Sequence, residues 1–194
     1  MRCGNTGIPI GQQEPATGMS SGNGGPLDVT EIAIDSDNQF YLMNGSSVEA
    51  TQDDIEAIMN AVNAIYDTYV DIVFSITVLI VRTDEPDPYL GDAFDRLDDL
   101  MAEFTGNLSP IPRDIAHLMS GIGVTSGVIG VAYLEAICDE KFGYGMSDSG
   151  FTSNFTSRVG LTAHELGHNF GAFHCSDGDP TCWITVSYTH LRAH

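Results

Sequence analysis

Apolar positions recur along this chain with two different periods, and the switches between them mark the elements. Residues 1–26 are rich in Gly, Pro, Ser and Gln with almost no apolar periodicity, and read as a linker or the end of a preceding segment. Val29, Ile32 and Ile34 then predict a first strand over 28–35. Ser46 and Ser47 offer N-cap oxygens, and 51–54 (Thr-Gln-Asp-Asp) approximates a capping box with Asp in place of Glu. Beyond it Ile55, Ile58, Met59, Val62, Ile65, Tyr66 and Tyr69 keep helical spacing without a miss, which predicts a long amphipathic helix over 51–69. The stretch 71–82 is β-branched and apolar enough to predict a strand buried on both faces. After an acidic, Pro-punctuated turn, Phe94, Leu97, Leu100, Met101 and Phe104 trace a second amphipathic helix, whose aspartates at 92, 95, 98 and 99 read as a solvated face rather than a metal cluster. Residues 114–119 and 127–137 read as further strands, and their Gly-rich flanks suggest that at least one is an edge.

Composition narrows the function classes. With 194 residues, 42% of them hydrophobic, the chain suits one domain with a single sizeable core. Twenty-seven acidic residues face seven basic ones, a formal charge of -20 with Lys141 the only lysine. A surface this acidic repels phosphate backbones and anionic lipid, so nucleic-acid and membrane-surface binding are excluded as expectations. The longest apolar run, 72–81, is interrupted by Ser75 and Thr77, far short of a membrane span. The N-terminus lacks a signal-peptide layout, so a secreted protein of this kind would begin upstream of Met1. Four cysteines (Cys3, Cys138, Cys175, Cys182) in a Lys-poor acidic chain point to an oxidising compartment.

The chemistry concentrates in 161–175, Leu-Thr-Ala-His-Glu-Leu-Gly-His-Asn-Phe-Gly-Ala-Phe-His-Cys. His164 and His168 lie four apart, on one face of a helix, where two imidazoles can meet one Zn²⁺. Glu165 falls beside the metal and can take a proton from a zinc-bound water without being a ligand. A catalytic site needs a third ligand, and on a straight helix His174 would sit about 9 Å beyond His168 along the axis. Gly171 resolves this, because glycine adopts the left-handed conformation that stops a helix and turns the chain back. Three neutral histidines leave a fourth position open, the pattern of a catalytic zinc. Five fixed residue types in register arise by chance in about one window in ten million, which sets aside unrelated histidines on an ordinary helix.

His164 to His174 thereby matches His-Glu-x-x-His-x-x-Gly-x-x-His, and the chain resembles the metzincin zinc proteases. The fuller His-Glu-Leu-Gly-His-Asn-Phe-Gly resembles their reprolysin (adamalysin, ADAM-type) branch, with looser agreement at 113–118 and 130–138. Reprolysins usually carry Asp after the third histidine, where this chain has Cys175. The resemblance implies an α/β fold: the N-terminal subdomain of a metzincin, a twisted, mixed and mostly parallel sheet with two long helices, over 51–69 and 158–170. It implies a secreted endopeptidase acting on protein or peptide substrates, with His164, His168 and His174 as ligands of one catalytic zinc and Glu165 as general base. It further implies that the 127–137 strand is the sheet edge above the cleft, where an extended substrate binds by strand addition. A structural calcium is a second implied cofactor, with Glu31 and Asp114 as candidates. The rival reading is a metzincin-fold module that binds zinc or a partner without cleaving, which the intact Glu165 disfavours. A zinc hydrolase of non-peptide substrates is disfavoured by the resemblance but not by the ligands.

Weaker signals complete the reading. Arg2-Cys3-Gly4 resembles the cysteine switch of metzincin propeptides, or Cys3 is a disulfide cysteine of an upstream domain. Cys175 and Cys182 flank a turn-forming stretch that suits a local disulfide, which would leave Cys138 without an obvious partner. His117 reads as a structural mid-strand histidine, and Asn44, Asn107 and Asn154 occupy glycosylation sequons. No methionine follows Met146, so the methionine turn of metzincins and the C-terminal subdomain are expected to be missing. Residues 186–194 resemble no part of the family and read as a non-native tail, which removes His190 and His194 as ligands. The organisation expected is a linker or propeptide end over 1–26, an incomplete catalytic domain over 27–185 and the tail. A site deprived of that floor is expected to be weakly active or inactive.

Overall fold

The computed structural model describes residues 28–124 and 127–174. In chain order these form strand β1 (Asp28–Ser36), helix α1 (Asn38–Met43), helix α2 (Val48–Val70), strand β2 (Ile72–Val81), helix α3 (Ala93–Thr105), strand β3 (Ile115–Ser120), strand β4 (Gly130–Ala132), strand β5 (Tyr144–Asp148), a 3-10 turn (Ser149–Phe151) and helix α4 (Phe155–Asn169). The strands make one sheet in the order β2-β1-β3-β5-β4. All pairs are parallel except β4 with β5. From β1 the chain steps one way to β2 and then back across β1 to β3. Right-handed crossovers in opposite directions put their helices on opposite faces, and α2 and α3 accordingly cover different sides of the sheet.

Two cores result. On one face Ile32, Ile34, Phe74, Ile115 and Met119 meet Ile55, Ile58, Met59, Val62 and Tyr66 of α2 and Val159, Ala163 and Leu166 of α4. On the other Ala33, Ala116, Leu118, Tyr144 and Met146 meet Ala93, Leu97, Leu100 and Phe104 of α3. The alternation Ile32-Ala33-Ile34 in β1 is the period-two pattern of a strand with a core on each side. Both long helices therefore share one face, a placement the periodicity could not supply.

Local chemistry sets the helix ends. Ser47 Oγ accepts from the Ala50 N–H, so α2 begins at Val48, one turn before the predicted start. Thr51 donates its hydroxyl to the Ser47 carbonyl instead of forming a capping box. The capping box lies in α3, where Asp92 and Asp95 serve each other's backbone. Asp99 accepts from the Leu90 N–H, so three of the four aspartates on this solvated face also serve as backbone acceptors. Asn154 caps α4, and Arg158 on its first turn pairs with Asp54 of α2, tying the two helices together.

Four expectations need correction. The strand foreseen over 127–137 is only Gly130–Ala132, because the chain turns at Leu134 and Glu135 and Cys138 adopt left-handed φ of 54° and 64°. It is nonetheless an edge of the sheet. β2 is the opposite edge, with Ser75 and Thr77 exposed, and so is not buried on both faces. Thr77 is the extra residue of a bulge opposite Ile32 and Ala33. β5, Tyr-Gly-Met-Ser-Asp, went unforeseen because Gly, Ser and Asp carry little strand signal, although every residue in it is buried. The short α1 was likewise unforeseen; Asp37 caps it and its carboxylate also accepts from Gly121 and pairs with Arg96 at 2.7 Å.

Candidate metal centre

Helix α4 stops where the sequence required. Phe170 is its C-cap and Gly171 follows at φ 89°. The Gly171 N–H donates to the His168 carbonyl (2.8 Å) and the Ala172 N–H to the Gly167 carbonyl (2.9 Å), the paired bonds of a Schellman turn. A Cβ on residue 171 would meet Glu135 Cγ at 2.8 Å, so both the left-handed φ and the space demand glycine.

The reversal brings His174 back over the helix. The three Nε2 atoms of His164, His168 and His174 lie 3.0, 3.1 and 3.1 Å apart. His168 Nδ1 is 2.6 Å from the Ala172 carbonyl, which can only accept, so that nitrogen carries the ring proton and Nε2 presents a bare lone pair. Lone pairs converging at this distance repel unless a cation lies among them. Three nitrogens bound tetrahedrally at 2.0–2.1 Å stand about 3.3–3.4 Å apart, so the donor set fits zinc to within a few tenths of an ångström. Among the described residues the three histidines form a group able to hold a metal ion. Burial and the neighbouring imidazoles push His164 down to about 4, and burial lowers His168 as well. Both are neutral near pH 7, as a metal ligand must be.

Glu165 is 4% exposed, and burial raises its carboxyl to about 8. It lies against the edge strand: a Cβ on Gly130 would come within 2.7 Å of Glu165 Cδ and 2.8 Å of its Cγ. Tyr66 fastens the helix from beneath, its hydroxyl donating to the Ala163 carbonyl at 2.8 Å. The expected ligands His164, His168 and His174 are thus together, and Glu165 lies on the same helix against Gly130. Unforeseen were the Ala172 carbonyl, set by the turn at Gly171, and Gly130, Tyr66 and Asn169, whose roles depend on contacts distant in sequence.

The other candidates are dispersed. His117 is fully buried in β3 with Nε2 2.7 Å from Ser147 Oγ, the structural place expected of it. Glu31 of β1 and Asp114, the residue before β3, are neighbours, and Asp114 Oδ2 accepts from the Glu31 N–H at 2.8 Å. Cys3, Cys175, Cys182, His190, His194 and the expected tail lie outside the described residues. Among the described residues no helix is long and apolar enough to cross a membrane.

A mostly parallel α/β sheet bearing a His-Glu-x-x-His helix against its antiparallel edge strand defines a metallopeptidase of the metzincin class. Residues 52–175 match the family model of the reprolysin-like M12B metallo-peptidases, and the chain belongs to that family. Snake venom metalloproteinase TM-1 of Protobothrops mucrosquamatus is 36% identical over 75 residues, which cover 39% of this chain and 37% of that protein's length. Among solved structures, one titled "Structure of a chaperone-substrate complex" superposes with a TM-score of 0.62 at 16% identity, over 81% of this chain and 26% of that one, a likeness of fold alone.

Proposed function

We propose that this chain carries the catalytic site of a zinc-dependent endopeptidase that hydrolyses peptide bonds of extracellular proteins. The observation behind the reading is the convergence of three Nε2 atoms within 3.1 Å at the end of the helix that carries the buried Glu165. His164, His168 and His174 are the ligands, and Glu165 is the general base. When bound, zinc supplies a Lewis acid that polarises the scissile carbonyl and acidifies water towards neutrality. Glu165 takes the proton of the attacking water; burial alone favours its protonated form, and the charge of a bound zinc would restore the carboxylate that this role needs. The free edge of β4, beside Glu165, offers backbone donors and acceptors to an extended peptide, which favours peptides over small molecules. Secretion is supported by the kinship with a venom protein and by the disulfide at Cys138, whose partner lies outside the described residues. Glu31 and Asp114 remain the proposed calcium ligands, since their adjacency allows both to face one ion.

The test is zinc titration with cleavage of an unfolded protein, for the wild type and Glu165→Gln. The proposal expects one zinc in both proteins and turnover about 10²–10⁴-fold lower in the variant. One zinc without cleavage, in a protein extended to carry the C-terminal subdomain, would instead assign a non-catalytic binding module. Equal turnover in the two proteins would remove Glu165 as the base.

A further inference from the structure

Next to the ligand His168 lies a residue that the peptidase mechanism does not use. Asn169 is fully buried at the end of α4. Its side-chain Nδ2 donates to two carbonyls at once, Tyr133 at 2.9 Å and Tyr144 at 3.0 Å. Tyr133 directly follows β4 and Tyr144 opens β5, and the Tyr133 N–H donates to that same Tyr144 carbonyl at 3.1 Å. The Asn169 backbone carbonyl in turn accepts from the Ala136 and Ile137 N–H groups at 2.9 and 3.1 Å, while the His168 carbonyl accepts from Glu135 at 2.9 Å. Residues 135–137 of the turn that follows the edge strand are therefore anchored on the last two residues of the histidine helix.

We infer that Asn169 is a positioning residue, whose amide sets the distance between the edge strand β4 and the metal-binding end of α4. The chemistry of the site selects this residue type. Two carbonyl oxygens converge on one point in a buried space and require a group with two N–H donors and no charge, which the carboxamide supplies in two rotatable bonds. Its orientation is fixed by the same two acceptors, since the reversed amide would set oxygen against oxygen. The other end of the amide has no hydrogen-bond partner: Asn169 Oδ1 and His117 Nδ1 are both buried and unpaired. Both crowd Gly145, where a Cβ would lie 3.3 and 3.1 Å from them. The amide is thus held by its donor side alone, by the two strands it spaces. Strand addition places a scissile carbonyl by the backbone of β4, so loosening the spacing between β4 and α4 weakens the hold on an extended substrate.

The functional half of this inference rests on the proposed peptidase reading; the structural half does not, and the experiment separates them. Asn169→Leu keeps the volume and removes both donors, and Asn169→Ala removes volume as well. In the zinc-loaded full chain, hydrogen exchange followed by mass spectrometry reads the amides of 130–137. About tenfold faster exchange there is expected in both variants, with β1 and β3 amides unchanged. Zinc affinity should stay within about twofold, since no ligand atom is touched, while KM for a reduced, carboxymethylated protein substrate rises about tenfold and kcat moves less. Ile58→Val, in the core under α2, serves as a control for general loosening and should change neither the exchange of 130–137 nor KM. Unchanged exchange at 130–137 in Asn169→Leu overturns the inference, as does an equal effect in Ile58→Val. A wild type that binds zinc and, extended to carry the C-terminal subdomain, cleaves nothing overturns the peptidase reading and the KM expectation, and leaves the exchange result to decide the positioning role.

Discussion

His117 is enclosed on all sides in β3, with one ring nitrogen on Ser147 Oγ and the other without a partner. Burial with no compensating anion drives its pKa down to about 3. The folded state thus holds it neutral, whereas the unfolded chain protonates it at about 6.5. A depressed folded-state pKa makes the contribution to stability complete above the unfolded value, and it is lost as pH falls from about 6.5 towards 3. Two-state linkage with these values gives a loss of about 2 kcal/mol between about pH 7 and pH 5 from this residue. Asp37 works in the opposite sense: burial raises its carboxyl to about 6, so the folded state gains a proton, and stability, as pH falls from about 6 to 3.8. The wild-type curve alone therefore conceals the histidine. His117→Leu isolates it, since the variant has no group to titrate at that position. Urea unfolding of both proteins at each pH should show the wild type losing about 2 kcal/mol more than the variant on acidification. Parallel pH profiles would refute the reasoning and mean that water or a counter-charge reaches the ring.

Gly130→Ala should bind zinc normally and lose about 10²-fold in kcat/KM, because its Cβ occupies the space of the Glu165 side chain; unaltered kinetics would show that β4 does not press on the base. Zinc at a hundredfold excess over its Kd should stabilise the wild type by about 2.7 kcal/mol, a rise in Tm of about 5–10 °C, and calorimetry should find no such rise in His168→Ala. A persisting rise would place the metal elsewhere. For Cys3, a protein extended upstream should be latent and activated by thiol-modifying reagents if the cysteine closes the site; recovery of Cys3 in a disulfide by peptide mapping would end that idea.

Helix α2 was legible because apolar residues at helical spacing record which side faces a core, Tyr69 alone of the seven pointing to solvent, although its start lies one turn earlier than that spacing predicts. The metal centre was legible for a different reason. Its donors and the glycine that gathers them all fall within 164–174, so spacing alone determines their proximity. The misreadings share a cause of their own. Residues 127–137 carry strand composition, yet hydrogen bonds to His168 and Asn169 pull 135–137 out of the sheet. β5 has no strand composition, yet β3 and β4 enclose it. β2 is apolar enough for a central position and lies at an edge. Each depends on partners in other elements of the fold, as with Ala136 and Asn169, which period and propensity do not encode.

The Schellman turn at Gly171 also determines what the metal does not hold together. All three donors belong to one eleven-residue segment, so an ion held there would close a short local loop and, among the described residues, bridge no two distant parts of the chain. The sheet and both cores are assembled by contacts made elsewhere, and the histidine helix is already capped, pinned by Tyr66 and paired to α2 through Arg158. In a zinc finger the ion is the core; here it is a tenant of a finished building. A chelator should unfasten the few residues after Phe170 while the domain around them stays folded, and the empty protein keeps the scaffold onto which the ion returns.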